Sequence, residues 1–223
     1  MKRSEINALI KDAKEFFASF SFALPPWAFW GPDEWKGKGN SEVVQNQLGW
    51  DLTDYGAGEF DKRGLILFTI RNGNLAAGHP KKYAEKIMIV RENQICPMHF
   101  HWAKTEDIIN RGGGNLMVEL WNADKDGNQA PGPVTVLVDG LPRTVESGES
   151  IRLAPGESVT LERGQYHAFT GEQGKGKVLV GEVSTVNDDN TDNRFSTPLP
   201  RFPEIEEDEA PLHLLVTDYP DWV

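Results

Sequence analysis

Residues 85–106 read EKIMIVRENQICPMHFHWAKTE. An apolar run, Ile87 to Val90, gives way to the polar turn Arg91 to Gln94, and a second apolar run then ends on two histidines. Short apolar runs of this length, bounded by a turn, predict two β-strands. Successive side chains in a strand point to opposite faces, so His99 and His101 share one face while Met98 and Phe100 share the other. Glu106 follows five residues after His101. The chain has only 5 histidines in 223 residues, and two of them on one strand face beside a carboxylate make half of a metal site.

Outward from this stretch the strand pattern continues. LILFTIRNG (65–73) is an apolar run closing on an Asn-Gly turn signal, and NLMVELWNADKDGNQ is a strand entering an Asp-Gly hairpin. VTVLVDGLPRTVE, SIRLAPGESVTLERGQYHAFTG and KVLVGEVSTV add further short strands with Gly, Pro or Asp turns between them. Many short strands at close spacing predict a mainly β sandwich or barrel, not βαβ units. Upstream, Ile6, Leu9, Ile10, Ala13, Phe16 and Phe17 follow helical spacing, with Ser4 available as the cap. FALPPWAFWGPDEW, rich in proline and aromatics, predicts an extended or turned arm. From Val186 the strand pattern stops, and the acid run EIEEDE (204–209) reads as solvated. The expected organisation is one domain over 1–223: a helix and aromatic arm (1–60), a barrel (61–185), then a loop and tail (186–223).

Composition narrows the partners. Hydrophobic residues make up 39% of the chain and charged ones 26%, enough for a buried core. With 34 acidic against 23 basic residues the formal charge is −11, which disfavours a nucleic-acid or anionic-membrane partner. A single cysteine, Cys96, precludes an intrachain disulfide. No run of about 18 apolar residues occurs, and the first 17 residues carry scattered charge without an apolar signal core. These features set the expected compartment as the cytoplasm.

The remaining candidate for the other half of the metal site is His167 in ERGQYHAF, on a later strand. Imidazoles with one carboxylate and positions left open suit Mn²⁺, Fe²⁺ or Zn²⁺ and not a thiolate-type structural zinc. His79 and His213 stand alone and read as structural. HFHWAKTE with Gly113 six residues past the glutamate resembles the first cupin motif, H-x-H-x4-E-x6-G. Gly164 and His167 resemble the second, P-x-G-x2-H, with Glu162 in place of the proline. Longer segments, LPPWAFW, GWDLTDYGAGEF, HFHWAKTEDIINRGGGNLMVELWNA and GEVSTVNDDNTDNRF, resemble the D-lyxose isomerases, sugar-isomerising cupins. That resemblance implies a cupin-type antiparallel β-barrel (jelly roll), a divalent metal (usually Mn²⁺), aldose–ketose isomerisation of D-lyxose to D-xylulose and commonly a homodimer. By motif, the metal ligands are His99, His101, Glu106 and His167.

Such chemistry needs a base facing the cation. Glu182 in VLVGEVS shares a strand face with Val178, Val180 and Ser184, and a carboxylate in that company is costly without a partner or a task. Glu119, which also interrupts an apolar strand, is the second candidate as base or sugar contact, and an outward-facing position explains it equally. Lys104, within the metal loop, is placed to hold a sugar oxygen or offset enediolate charge. Asp188 and Arg194 are candidates for the far hydroxyls, though as sequence they are loop residues. Trp30, with Trp27 and Phe29, offers an apolar wall for a sugar or packing for the arm. The competing readings are an Fe²⁺ cupin dioxygenase and a non-catalytic sugar-binding cupin.

Overall fold

The computed structural model describes residues 1–75, 78–186, 191–200 and 203–223. Its strands are β1 (Gly49–Thr53), β2 (Leu65–Arg71), β3 (Tyr83–Val90), β4 (Cys96–His101), β5 (Glu106–Gly113), β6 (Leu116–Ala123) and β7 (Gln129–Ala130). There follow β8 (Pro133–Val138), β9 (Leu141–Glu146), β10 (Ser150–Leu153), β11 (Ser158–Leu161), β12 (Gln165–Gly171), β13 (Val178–Thr185) and β14 (Asn193–Phe195). They form two antiparallel sheets. The larger has the order β1-β2-β3-β13-β5-β11-β8-β9; the smaller runs β10-β6-β12-β4-β14, with β7 paired to β6. The architecture is the mainly β, cupin-type one expected.

Alternation explains what the sheets enclose. In β6, Leu116, Val118 and Leu120 are buried while Met117, Glu119 and Trp121 are half-buried. The inward residues of β6 meet those of β3, β5, β11 and β13 in one core that includes Met88, Ile108, Val136, Leu161 and Val180. β3 and β13 are buried on both faces because a helix covers the outer one. That helix, α1 (Arg3–Ser19), lays Ile6, Ile10, Ala13 and Phe17 against Trp50, Phe68, Ile87 and Leu179.

Four sequence readings change. Lys2, not Ser4, is the N-cap of α1, and the Ser4 hydroxyl donates to Asp208 at 2.7 Å. The aromatic arm is turned, as expected, with two short 3₁₀ turns, Pro26–Phe29 and Pro32–Trp35, each opened by a proline whose fixed φ suits a helical start. β1 lies within the stretch assigned to the arm yet pairs with β2 from Gly49↔Thr69 to Thr53↔Leu65. β14 lies beyond residue 186, where the strand pattern was expected to end, and pairs with β4. The acid run also docks: Arg3 donates to Glu207, Ser4 to Asp208 and Asn7 to Glu209. Among the described residues no helix is long and apolar enough to cross a membrane.

Candidate active site

The smaller sheet supplies the imidazoles. His99 and His167 are directly paired across β4 and β12, so both project to the interior, with ring centroids 4.3 Å apart. The register between these strands then shifts, His167↔His99 being followed by Phe169↔Cys96. The extra residue lies in Pro97–Met98, and a proline, which cannot donate to the ladder, is tolerated at such a bulge. The bulge also leaves the Pro97 carbonyl free to accept from His99 Nδ1 at 2.7 Å. At the start of β12, Gly164 takes a positive φ of 74° and donates to the His101 carbonyl at 3.1 Å, tying the second histidine motif to the first.

The larger sheet supplies the carboxylates. Glu106 opens β5; Glu182 on β13 lies opposite Ile108 of β5 and Lys86 of β3. Lys104 enters from the loop joining the two sheets. All of these side chains line one cavity that opens to solvent, together with Tyr55, Met88 and Phe195. Gly113 closes the far end of β5 at φ 88°, where an added Cβ would fall 2.2 Å from the Lys177 carbonyl oxygen.

The donor set fits a cation. One nitrogen each of His99, His101 and His167 lie within 4.8 Å of one another. Glu106 Oε1 stands 3.1 Å from Nε2 of both His101 and His167. Yet these three buried atoms make no hydrogen bond among the described residues, so they are closely spaced polar atoms with their bonding capacity unspent. The outer nitrogens are turned away from the centre. His99 Nδ1 donates to Pro97 O, His167 Nδ1 donates to Gln165 O at 3.1 Å, and His101 Nδ1 faces Asp192 Oδ2 at 3.5 Å. That outer shell fixes the ring orientations and leaves Nε2 for an ion.

Electrostatics agree. Burial, with His167 and His101 adjacent, pushes the His99 imidazole well below its usual range, keeping its lone pair available. Burial and Lys104 also push His101 down, but Glu106 and Asp192 outweigh them and raise it. Burial would raise Glu106, yet Lys104 and the neighbouring imidazoles hold it well below the carboxylate range, ionised. Glu106 thus supplies negative charge at the centre of the cluster.

Beside it stands a buried cluster of two lysines, a serine and two carboxylates. Lys104 Nζ lies 2.6 Å from Glu106 Oε2 and 3.1 Å from Glu182 Oε1, and all three side chains are buried. Ser184 Oγ donates to Glu182 Oε1 at 3.0 Å, and Lys86 Nζ is 3.4 Å from the same oxygen.

A sequence model of the D-lyxose isomerase family matches residues 1–219. This chain belongs to that family. It is therefore an enzyme of an isomerase family. The D-lyxose/D-mannose isomerase of Serratia proteamaculans is 53% identical over 98% of each chain, and that of Escherichia coli O157:H7 is 50% identical over 98% of each. The ligand-free L-ribose isomerase of Cellulomonas parahominis superposes with a TM-score of 0.62 over 92% of this chain and 98% of its own, at 18% identity, a likeness of fold.

Within this family member the expected residues separate into two groups. His99, His101, Lys104, Glu106, His167 and Glu182 are brought together. Glu119 is not: it pairs with Ala168, on the face of β6 opposite Leu120 and His167, and accepts from the Trp121 indole at 3.0 Å. Arg194 pairs with Phe100 on the outer face of β14 and is exposed; its neighbours Asn193 and Phe195 face the cavity instead. Trp30 packs edge-on against Trp35, centroids 5.0 Å apart, away from the cavity. Asp188 lies outside the described residues. Sequence reasoning missed Lys86, Ser184, Tyr55 and Asp192. Of these only Ser184 carried a signal, its place two residues from Glu182 on the same strand face.

Proposed function

We propose that this protein interconverts D-lyxose and D-xylulose, and D-mannose and D-fructose as a second pair, by proton transfer through a cis-enediol. The carrying observation is one cavity in which a His₃–Glu cluster abuts a buried Lys–Glu pair. The 53% and 50% identical relatives named D-lyxose/D-mannose isomerase support the choice of sugars, as does the shared configuration of the two aldoses at C2, C3 and C4. His99, His101, Glu106 and His167 would hold a divalent cation, Mn²⁺ by family precedent. When bound, it supplies Lewis-acid stabilisation of charge developing on the sugar oxygens.

Glu182 takes the C2 proton of the open-chain aldose. The C–H electron pair becomes the C1=C2 bond and the carbonyl pair moves onto O1. Returning the proton to C1, while the O2 proton passes to O1, completes the ketose. Lys104, between Glu106 and Glu182, offsets the oxygen charge during this exchange. The apolar walls, Tyr55, Met88 and Phe195, limit water around the enediol. A homodimer is the assembly we expect from the family, and a reducing cytoplasm suits the lone buried thiol of Cys96.

The decisive experiment strips the protein with EDTA, restores Mn²⁺ and follows D-lyxose in D₂O by NMR. Metal-dependent D-xylulose carrying deuterium at C1 is expected. Metal-loaded Glu182→Gln is expected to lose at least about 10²-fold in kcat. Wild-type turnover in that variant would remove Glu182 as the base, and absence of ketose from the metal-loaded wild type would overturn the isomerase reading.

A further inference from the structure

We propose that Lys86 is a positioning residue for Glu182, fixing which carboxylate oxygen receives the proton. This rests on Glu182 being the base of an aldose–ketose isomerase. Lys86 lies directly across from Glu182 in the β3/β13 register, so the two side chains share the interior face. It is only 6% exposed and lines the cavity. On that face of β3 it is followed by Met88 and Val90, both part of the apolar core. Replacing both members of a buried ion pair by apolar residues of similar volume is often neutral for stability, so the Lys86–Glu182 pair as a whole is a feature the fold does not require, and with Glu182 kept Lys86 supplies its counter-charge.

Its geometry gives the task. Lys86, Lys104 and Ser184 all approach Oε1 of Glu182, at 3.4, 3.1 and 3.0 Å. Oε1 accepts from Lys104 and Ser184 and is ion-paired with Lys86, so Oε2 is the oxygen we assign to meet C2 and C1. Lys104 cannot do this alone, since its Nζ stands nearer Glu106, at 2.6 Å. With Lys86 replaced by an apolar residue, two buried carboxylates share one ammonium. The Glu182 carboxylate then has no anchor on the β3 side and rotates between orientations. Misplacing a reacting group by about 1 Å costs roughly 10²-fold in rate.

The test compares wild type, Lys86→Met, Lys86→Arg and Glu182→Gln, each verified as folded by circular dichroism and as metal-loaded by elemental analysis. Lys86→Met is expected to lose about 10²-fold in kcat with KM changed by less than about threefold. D-lyxose deuterated at C2 should then show a full primary isotope effect on kcat, placing the loss on proton transfer. Lys86→Arg should recover at least about tenfold of it. A packing role would instead lower the active fraction, leaving the isotope effect at the wild-type value and gaining nothing from arginine. Wild-type kcat in metal-loaded Lys86→Met would overturn the proposal, and Lys86→Gln gives the same readout if the methionine variant does not fold. An active Glu182→Gln would instead overturn the base assignment on which the proposal stands.

Discussion

Asp192 shows how a residue invisible as sequence becomes necessary in the structure. In NDDNTDNRF it is one acid among several in a polar loop. Folded, its Oδ1 accepts from the Ala103 amide at 2.7 Å and its Oδ2 from the Lys104 amide at 3.2 Å, while Oδ2 faces His101 Nδ1. Burial works against its charge, but His101 and these amides outweigh it and hold the carboxyl below its ordinary value. It therefore both shapes the 102–105 loop and orients the imidazole of His101, which we assign as a metal ligand. Asp192→Asn is expected to weaken divalent-cation affinity by about 10–100-fold, measured by calorimetric titration of the EDTA-stripped protein, with the circular dichroism spectrum unchanged. That His99, His101, Glu106 and His167 come together was legible because strand residues of one parity share a face and residue types able to hold an ion recurred there. Glu182 was legible because charge interrupted an apolar face. Lys86 was not, since a lysine near the start of a strand reads as a solvated end, and Glu119 misled because parity within one strand does not say which face is inside.

At the scale of elements, the helix and most strands followed from periodicity, whereas pairing did not. β14 is three residues long and polar on one face, too short to leave an alternating pattern, and exists because β4 offers it an edge. The acid run likewise has no intrinsic structure; it is ordered by α1. Arg3, 1% exposed, forks between Asp218 and Glu207, with Nη1 and Nη2 each 2.9 Å from Asp218 and Nε 2.8 Å from Glu207. Burial would lower the guanidinium's proton affinity, but the two carboxylates more than reverse this, so Arg3 stays charged at all working pH values. Removing it in Arg3→Met leaves the buried Asp218 without its counter-charge, at an expected cost of roughly 3–5 kcal/mol in urea unfolding. Glu207→Gln should cost under about 1 kcal/mol, because that side chain is 56% exposed. The Arg3 hydrogen bond and charge hold the Glu207 carboxyl below its usual value. Its contribution is thus complete above the ordinary carboxylate range and is lost as pH falls through the lowered value. The stability difference between wild type and Glu207→Gln should accordingly vanish on acidification. A difference that grows instead would show that the ion pair is not its source.

For the whole molecule, the site lies between layers. The three imidazoles belong to the smaller sheet, Glu106 to the larger, and β13 reaches its partners only through residues far away in sequence, Val178 pairing with both Val90 and Gly113. Alternation specifies which side chains face inward, while the order of strands depends on long-range pairings that no local window contains, so the cavity's composition was more legible than its walls. This placement would couple a bound cation to stability. An ion held by His99, His101, His167 and Glu106 joins the two sheets, and unfolding separates its ligands into distant parts of the chain. Ligand binding to the native state alone stabilises by about 2.7 kcal/mol at a hundredfold excess over Kd. At about 2–4 °C per kcal/mol for a chain of this size, Mn²⁺ at that excess should raise the melting temperature of the EDTA-stripped protein by roughly 5–11 °C. In His167→Ala, which removes the ligand contributed by β12, most of that increase should disappear while the metal-free melting temperature changes far less. A metal-dependent rise of equal size in the variant would mean that the ion binds elsewhere, and that the convergence of unpaired nitrogen and oxygen atoms between the sheets is not its site.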